Sequence, residues 1–550
     1  MTEQGVDILV VGGGITGAGV ALDAAARGYR VGLVEKTDFS SGTSSKSTKL
    51  IHGGIRYLSQ FDFPLIRESL VERGLLMRNA PFLVQPIGFL LPLYADAQKP
   101  MGMPFRPPFG IGLGILLRAG LFAYDLMSGR LGIHRHRRIS KRAAERISPC
   151  LHTDGLDDAF IYYDGQTDDS RLTTTVIRTA ALHGALVANH AEVTGFKQDG
   201  GRITAAVIQD HISGETVTIQ AGTVVNAGGV FACRIEEMAG PSTIEIKPSR
   251  GAHLTVPRQA LKIGKHAVVL PETEDGRLLF IVPWGSRVTI GTTDTEGGNI
   301  DNPIAAADDV TYLLRHVNRY MRCNLQQSDI ISAWAGFRPL ISSSKSASAS
   351  SKLSRTHAVL DGPGGMVTII GGKLTTYRRM AQDTVDHISK GQKKRITHVT
   401  EQLTLSGCED WQTAQAELAQ AAQALQLQPA TIRRLSTYGS NSRTILDLIR
   451  EEPVLSNRLV PDLPYVMAEV AYACRYEMAL DLADVLERRL RISIEDWSHG
   501  VEAAPQVAAL MARELGWDDA TTQCRLEQYR TLVAEQYPEF GHMVEDTSVY

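Results

Sequence analysis

Cysteine is scarce in this chain: six residues in 550, with no CxxC and no spacing that suits a metal ion. Cys150, Cys233, Cys323, Cys408, Cys474 and Cys524 read as buried thiols of a reducing compartment, and no metal site is expected. An excess of one charge is missing too: the net charge of -3 gives no basis for wholesale nucleic-acid binding. The N-terminus has no basic stretch followed by a long apolar core, so no signal peptide is expected. No uncharged apolar run reaches the ~20 residues of a membrane span. Residues 110–127 come nearest and are broken by Arg118 and Asp125. Low-complexity sequence is confined to residues 342–351, read as a mobile surface loop. What remains is an ordinary globular balance, 43% apolar and 21% charged, long enough for two or three domains.

The N-terminal residues carry the first positive signal. Ile8-Leu9-Val10-Val11 is a continuous apolar run of the kind buried on both faces of a parallel sheet. Gly12-Gly13-Gly14-Ile15-Thr16-Gly17 follows at once, then an alanine-rich helix to Gly28 and a second strand, 29–34, ending at Glu35. Gly12 permits the tight turn, Gly14 the approach of a pyrophosphate, and Gly17 close packing of helix on strand. The helix N-terminus offers N–H groups and a positive dipole end to phosphate. Glu35 is placed to accept from the adenosine ribose hydroxyls, and a carboxylate there disfavours NADP. A glycine fingerprint alone is weak. Strand, helix, strand and acid in register within one βαβ unit predict a dinucleotide site.

Three later stretches point to FAD rather than NAD. Residues 43–54 (TSSKSTKLIHGG) are small and hydroxyl-rich, fit to wrap an extended cofactor. Leu50, Ile51, Ile55, Tyr57 and Leu58 make the stretch too apolar for a solvated linker. Residues 223–229 (TVVNAGG) read as a buried strand ending in small residues, where ligands collect in open α/β sheets. Residues 366–377 (MVTIIGGKLTTY) read as a strand, a Gly-Gly turn and a helix start, whose dipole suits negative charge on a reduced flavin. A single NAD unit has no use for binding segments so far apart. A flavin domain assembled from dispersed pieces does.

Taken together, residues 12–17, 43–57, 290–294 (IGTTD), 335–340 (AGFRPL) and 371–377 (GGKLTTY) resemble the FAD-dependent, quinone-linked glycerol-3-phosphate dehydrogenase family. The likeness runs over about residues 5–385 and more loosely through Tyr438-Gly439-Ser440-Asn441-Ser442. The HGGIRYL and GGKLTTYR strings are more specific to that family than the nucleotide fingerprint. The implied fold is α/β: a Rossmann-like FAD-binding domain, a mixed-sheet substrate or cap domain as in amino-acid-oxidase-like flavoproteins, and a C-terminal helical domain. The expected layout is a discontinuous FAD-dependent region over residues 1–390 followed by helices over 391–550. Within the former, about 1–80, 155–235 and 335–390 bind FAD, while about 81–154 and 236–334 form the substrate cap and membrane-facing part. One departure is visible. After Asn226-Ala227 the family commonly has Thr-Gly-Pro-Trp, whereas this chain has Gly228-Gly229-Val230-Phe231.

The resemblance implies oxidation of sn-glycerol 3-phosphate to dihydroxyacetone phosphate, with FAD accepting the hydride and membrane quinone the electrons. A glycerol-phosphate oxidase using oxygen and a flavin-loaded protein without turnover are the alternatives. FAD is expected on Gly12, Gly14, Ile15, Thr16 and Gly17 of the first turn and on Glu35 and Lys36 after the second strand. The hydroxyl-rich stretch adds Thr43, Ser44, Ser45, Ser47, Leu50, Ile51 and His52; later segments add Ala227, Gly228, Gly372, Lys373, Leu374 and Thr375. The substrate is expected on His52, Arg56, Tyr57, His253, Arg338, Arg355 and Lys373, with His52, His253, Arg338 and Lys373 in catalytic roles. The residue types agree with this. Arginines grip phosphate bidentately, and a lysine at a helix start adds a point charge. The base is read as a histidine, His52 or His253, and Arg338 as a stabiliser of the developing alkoxide. Asp168-Asp169 reads as the N-cap of a helix before Leu172 rather than an acid pair.

Residues 101–150 join an apolar run, 109–117, to a cationic rim of Arg106, Arg118, Arg130, Arg135, Arg137, Arg138, Lys141, Arg142 and Arg146. Such a segment suits an anionic lipid surface, the alternative being a core helix with a solvated basic flank. The chain is accordingly expected in the cytoplasm, peripheral on the inner face of the cell membrane, as a homodimer. In the C-terminal region Met478, Leu482, Val485, Leu486 and Leu490 follow helical spacing, with Glu487, Arg488 and Arg489 expected to face outward. That region is read as a packing or dimerisation domain without chemistry of its own.

Overall fold

The apolar N-terminal run forms β1 (Val6–Val11), whose Ile8, Leu9 and Val10 are wholly enclosed. It lies inside an eight-stranded sheet of the computed structural model, which describes residues 1–95, 113–341, 356–393 and 396–537. β1 pairs in parallel with β2 (Val31–Val34) on one side and with Thr216–Asn226 on the other. Val367–Ile370 continues the parallel order beyond Thr216–Asn226, and Leu186–Ala188 continues it beyond β2. Helix α1 (Ile15–Ala26) packs on this layer beside Asp169–Leu182 and Tyr377–Gly391. Its closeness to β1 depends on Gly17: a Cβ there would sit 1.9 Å from the Gly12 carbonyl oxygen.

A second sheet of ten strands forms the cap. It is antiparallel except where Ala267–Leu270 lies parallel to Gln85–Tyr94. The sequence reading grouped residues 155–166 and 335–341 with the FAD-binding segments. Strands Leu156–Gln166 and Ser332–Ile341 instead belong to the cap sheet, paired with Gln85–Tyr94 and Ile246–Pro257. Length explains the difference: both strands pair along ten or so residues with cap partners, while single residues along them touch the hydroxyl-rich stretch, as where the Phe337 carbonyl accepts from Thr43 and Gly165 pairs with Ile51. Leu50–Ile51, inside the hydroxyl-rich stretch, is an edge strand of the cap sheet. Asp168 caps the following helix as expected, its carboxylate accepting from the Ser170 and Arg171 amides.

The C-terminal part is helical from Trp411–Ala424 to Asp519–Gln536 around its own apolar core. Here the outward-facing expectation for Glu487, Arg488 and Arg489 fails. All three are buried, in a π-helical turn over Asp484–Arg489, and Met478 lies outside any helix with a φ of 52°. Helical spacing marks which residues are apolar, and it could not show that another part of the chain supplies an acid. Arg488 Nε and Arg489 Nη1 each donate 2.6 Å bonds to Asp38 Oδ2, and Arg489 Nη2 donates to Oδ1 at 2.9 Å. Burial alone would raise the Asp38 carboxyl, but Arg489 and Arg488 overcome it and hold it well below the usual carboxylate range.

The cysteine expectation also needs correction. Cys150 and Cys323 are joined in a disulfide across 173 residues, and Cys524 is exposed rather than buried. Spacing along the chain carries no trace of a pairing made by folding. The expected surface loop 342–351, Arg355, Arg106 and the start of the apolar run at 109–112 lie outside the described residues.

Because Asp38 ionises more readily in the folded chain, its contribution to stability is full above the unfolded pKa near 3.9 and falls away below it. Asp38→Ala, which takes away the acid shared by two buried guanidinium groups and leaves them with Asp484, Glu487 and Glu477, is expected to cost about 3 kcal/mol at pH 7, read as a lowered urea midpoint. Asp38→Asn should flatten the loss of stability between about pH 4 and pH 3; a slope equal to the parent's would contradict this role.

Candidate functional site

Four parallel strands end at one place. Gly12 after β1, Glu35 after β2, Ala227 and Gly228 after Thr216–Asn226, and Gly371 and Gly372 after Val367–Ile370 all line a cavity of about 500 Å³. Gly12 has a φ of +112°, and a Cβ on it would meet the Ala227 carbonyl at 2.6 Å. Glu35 accepts from the Gly13 amide at 2.6 Å through one carboxylate oxygen and from the Thr37 amide at 3.1 Å through the other. Burial pushes its carboxyl above the usual range, opposed by those amides. Lys36 lies 3.9 Å from the Phe231 ring, so the departure from the family pattern at that position still places an aromatic face at the cavity.

The hydroxyl-rich stretch wraps this cavity and is tied down at several points. Ser44 Oγ accepts from the Ile15 amide at 2.8 Å, at the first turn of α1. Thr43 Oγ1 donates to the Phe337 carbonyl at 2.5 Å. Asp169 collects the Ser47 amide, the Ser47 hydroxyl and Lys49 Nζ at 2.9, 2.7 and 2.8 Å. Burial and the neighbouring Arg491 lower Lys49 to about 8 against the pull of Asp169. The His52-Gly53-Gly54 turn is fixed by Asp164, whose Oδ1 accepts from the Gly53 amide at 3.1 Å and from Arg73 at 2.6 Å. Gly53 has no room for a side chain: a Cβ would meet Leu70 at 2.3 Å and the Tyr124 hydroxyl at 2.4 Å.

Cations and histidines gather in the same cavity. His52, Arg56, Tyr57, His253, Arg338 and Lys373 all line it. Lys373 precedes the turn Leu374–Thr376, its Nζ 4.2 Å from the Tyr57 ring centroid and 3.2 Å from Ser69 Oγ. Arg338, on a cap strand, donates to Thr292 Oγ1 at 3.1 Å and to the Thr293 carbonyl at 3.1 Å, with Asp294 at 3.5 Å. His253 is buried, stacked on Trp334 with centroids 4.3 Å apart. Its Nε2 meets Thr48 Oγ1 at 2.9 Å, while Nδ1 has no hydrogen-bond partner among the described residues. Burial, with Arg338 and Lys49 nearby, drops its pKa well below the ordinary histidine value.

Most of the residues singled out from the sequence meet here. Gly12, Gly14, Ile15, Thr16, Glu35, Lys36, Thr43, Ser44, Ser47, Leu50, His52, Ala227, Gly228, Gly372, Lys373, Leu374 and Thr375 line the cavity. Gly17, Ser45 and Ile51 stand behind it: Gly17 sets helix against strand, Ile51 is core, and Ser45 is buried with its carbonyl accepting from Arg491. Lys46, Thr48, Asp164 and Thr292 also line it and were not foreseen. Lys46 and Thr48 sit in a stretch already marked as cofactor-facing, and Asp164 is the acid that directly follows the apolar run 160–163 of its strand. Those were the available signals; Thr292 had none beyond its place in the IGTTD motif.

The residues fit an extended flavin dinucleotide. Side-chain-free positions cluster where three of the four strands end and an acid where the fourth does, a helix start faces them, and an aromatic-lined part adjoins a cationic one. Comparison with known proteins agrees. Residues 7–378 match the FAD dependent oxidoreductase family, and residues 398–522 match the C-terminal domain of alpha-glycerophosphate oxidase. The chain is 38% identical over 539 residues to glycerol-3-phosphate dehydrogenase 2 of Mycobacterium tuberculosis (strain ATCC 25618 / H37Rv), covering 97% of this chain and 88% of that protein. To the mitochondrial glycerol-3-phosphate dehydrogenase of Homo sapiens it is 36% identical over 559 residues, covering 98% and 74%. The solved glycerol-3-phosphate dehydrogenase of Bacillus halodurans, complexed with FAD, superposes with a TM-score of 0.78 at 29% identity, covering 98% of this chain and 96% of that one.

With its pKa depressed by burial and by Arg338 and Lys49, His253 is expected to stay neutral through the pH range in which an ordinary histidine takes up its proton. Carbon-13 NMR of ring-labelled histidines, with the signal assigned by loss in His253→Gln, reads this directly. A midpoint near 6.5 would contradict the buried environment.

Proposed function

This chain belongs to the FAD-dependent glycerol-3-phosphate dehydrogenases, and from that premise we propose that its cavity oxidises sn-glycerol 3-phosphate to dihydroxyacetone phosphate. The observation that carries the reading is the convergence of Arg56, Arg338 and Lys373 on the cavity that the FAD-binding turns also line. Bound there, FAD supplies the acceptor for the C2 hydride. Arg56, Arg338 and Lys373 bind the phosphate dianion and orient C2, a service worth several kcal/mol when reacting atoms are held in place. Arg338 also offers charge to the oxygen that loses its proton. That proton goes to a histidine, and we assign it to His52. His253 has Nε2 engaged by Thr48 and Nδ1 enclosed, which suits a wall of the site rather than a proton carrier. Thr48 and Trp334 hold its ring in place.

The electrons are proposed to leave to a membrane quinone. No helix among the described residues is long and apolar enough to cross a membrane. Helix Leu113–Ser128 has two faces: Leu117, Leu121 and Tyr124 are buried in the cap, while Ile115, Phe122 and Leu126 are 67%, 63% and 71% exposed. Phe61 and Phe63 are exposed at the entry to Phe63–Asn79, the helix on which it packs. Arg118, Arg130, Arg135, Arg137, Arg138 and Arg142 are exposed as well. An apolar stripe with a cationic rim supports docking on anionic lipid from one side.

Under anaerobic conditions glycerol 3-phosphate is expected to bleach the yellow protein and glycerol to leave it unchanged; bleaching by both would remove the phosphate from recognition. Arg338→Ala should keep its flavin and raise KM by on the order of 10- to 100-fold, the loss of a charged hydrogen bond, while His52→Gln abolishes the acid limb of kcat/KM. An unmoved limb would reassign the base.

Replacing Arg130, Arg135, Arg137, Arg138 and Arg142 by Gln is expected to weaken binding to phosphatidylserine vesicles by on the order of 10³- to 10⁴-fold, at about 1 kcal/mol per cation. Retention at parental strength in low salt would end the docking reading.

A further inference from the structure

The segment Arg488-Arg489-Leu490-Arg491, deep in the C-terminal part, reaches into the FAD domain at two points of one stretch. Arg488 and Arg489 hold Asp38, where that stretch begins. Arg491, in a left-handed conformation with a φ of 65°, reaches the stretch further on. Its Nη2 donates to the Ser45 carbonyl at 2.6 Å and its Nη1 to the Glu487 carbonyl at 3.0 Å. The guanidinium is buried, with Asp169 at 3.7 Å and Asp168 at 4.0 Å. The Ser45 carbonyl also accepts from Lys49 Nζ at 3.3 Å. Immediately before it Ser44 bonds the first turn of α1, and three residues after it Thr48 bonds His253. One carbonyl in the middle of this bend is therefore fixed by a side chain some 450 residues away.

We propose that Arg491 is a positioning residue: through the Ser45 carbonyl, the C-terminal domain holds residues 44–48 in the shape that places Ser44 against α1 and Thr48 against His253. The residue does not line the cavity and acts only through the stretch it grips. Charge and geometry both favour a guanidinium at this place. It must answer Asp168 and Asp169 while spanning two carbonyls on separate parts of the chain, which a planar fork does and an ammonium does not. The C-terminal domain thus has a share in flavin binding without touching the cavity. This rests on the reading that residues 43–54 embrace FAD.

The test uses the full-length holoprotein. Hydrogen–deuterium exchange of the amides of residues 44–49 is compared between the parent, Arg491→Met and Val507→Ala, the last a cavity in the core helix Ala504–Leu515, which packs on the helices Met467–Tyr476 and Asp519–Gln536. Arg491→Met is expected to speed exchange of those amides by about tenfold, as the loss of a charged hydrogen bond implies. It should also hasten release of flavin on dilution, read by fluorescence. Val507→Ala is expected to leave both at parental values while lowering the thermal midpoint. If Arg491→Met does not fold, Arg491→Lys keeps the charge and gives up the fork, and it is expected to speed exchange about threefold. Parental exchange in the folded Arg491 variant, or equal acceleration in Val507→Ala, overturns the proposal. Faster exchange with unchanged flavin release overturns only the premise that this stretch embraces FAD.

Discussion

A buried carboxylate must find hydrogen bonds or leave the interior, and Asp169 finds them by gathering the stretch that surrounds the cofactor cavity. The Ser47 amide and hydroxyl and the Lys49 ammonium all converge on its two oxygens. As the first residue of helix Asp169–Leu182, it also faces the positive end of that helix. Removing a partner would leave a charge in an apolar interior, where each ion costs several kcal/mol to desolvate. The walls of the cavity inherit their order from this one demand. With Lys49 fixed, Leu50 and Ile51 enter the cap sheet in register, and the His52 amide arrives on Thr375 Oγ1 at 3.1 Å.

Catalysis by this arrangement divides between groups that carry charge and groups denied it. In the proposed reading Arg338, beside Thr292 and Asp294, and Lys373, beside Ser69 and the Tyr57 ring, are the charged groups that take the phosphate. His253 is held neutral by enclosure and by the nearby charges of Arg338 and Lys49. A positive imidazolium there would compete with nothing useful and would repel Arg338. His52, in the turn held by Asp164, lines the same cavity and is the residue to which the proposed reading gives the proton.

Much of this was legible because it is local. The β1–α1–β2 unit, the Gly-Gly turn before Lys373 and the N-cap at Asp168 each follow from residues adjacent in sequence, where turn chemistry and periodicity speak directly. What escaped is long-range. The Arg488–Arg489 pair looked solvent-facing because its acid, Asp38, lies in another domain. Cys150 and Cys323 looked like isolated thiols because their pairing is made by the cap fold. Leu156–Gln166 looked like part of the FAD layer because the helix that follows it is. His253 was visible as a histidine of the site, yet its neutrality arises from enclosure against Trp334 and from Arg338 and Lys49, contributed by the cap strand Ser332–Ile341 and the hydroxyl-rich stretch.

The two-residue strand Leu50–Ile51 has a mechanical consequence. It sits at the edge of the cap sheet, yet the residues just before it are clamped to the FAD layer through Asp169. The two layers are therefore stitched at the mouth of the cavity, not merely stacked. A clamshell motion about some distant hinge would have to tear this seam, so substrate entry and product exit must proceed by local movements of side chains and turns around a frame that stays shut.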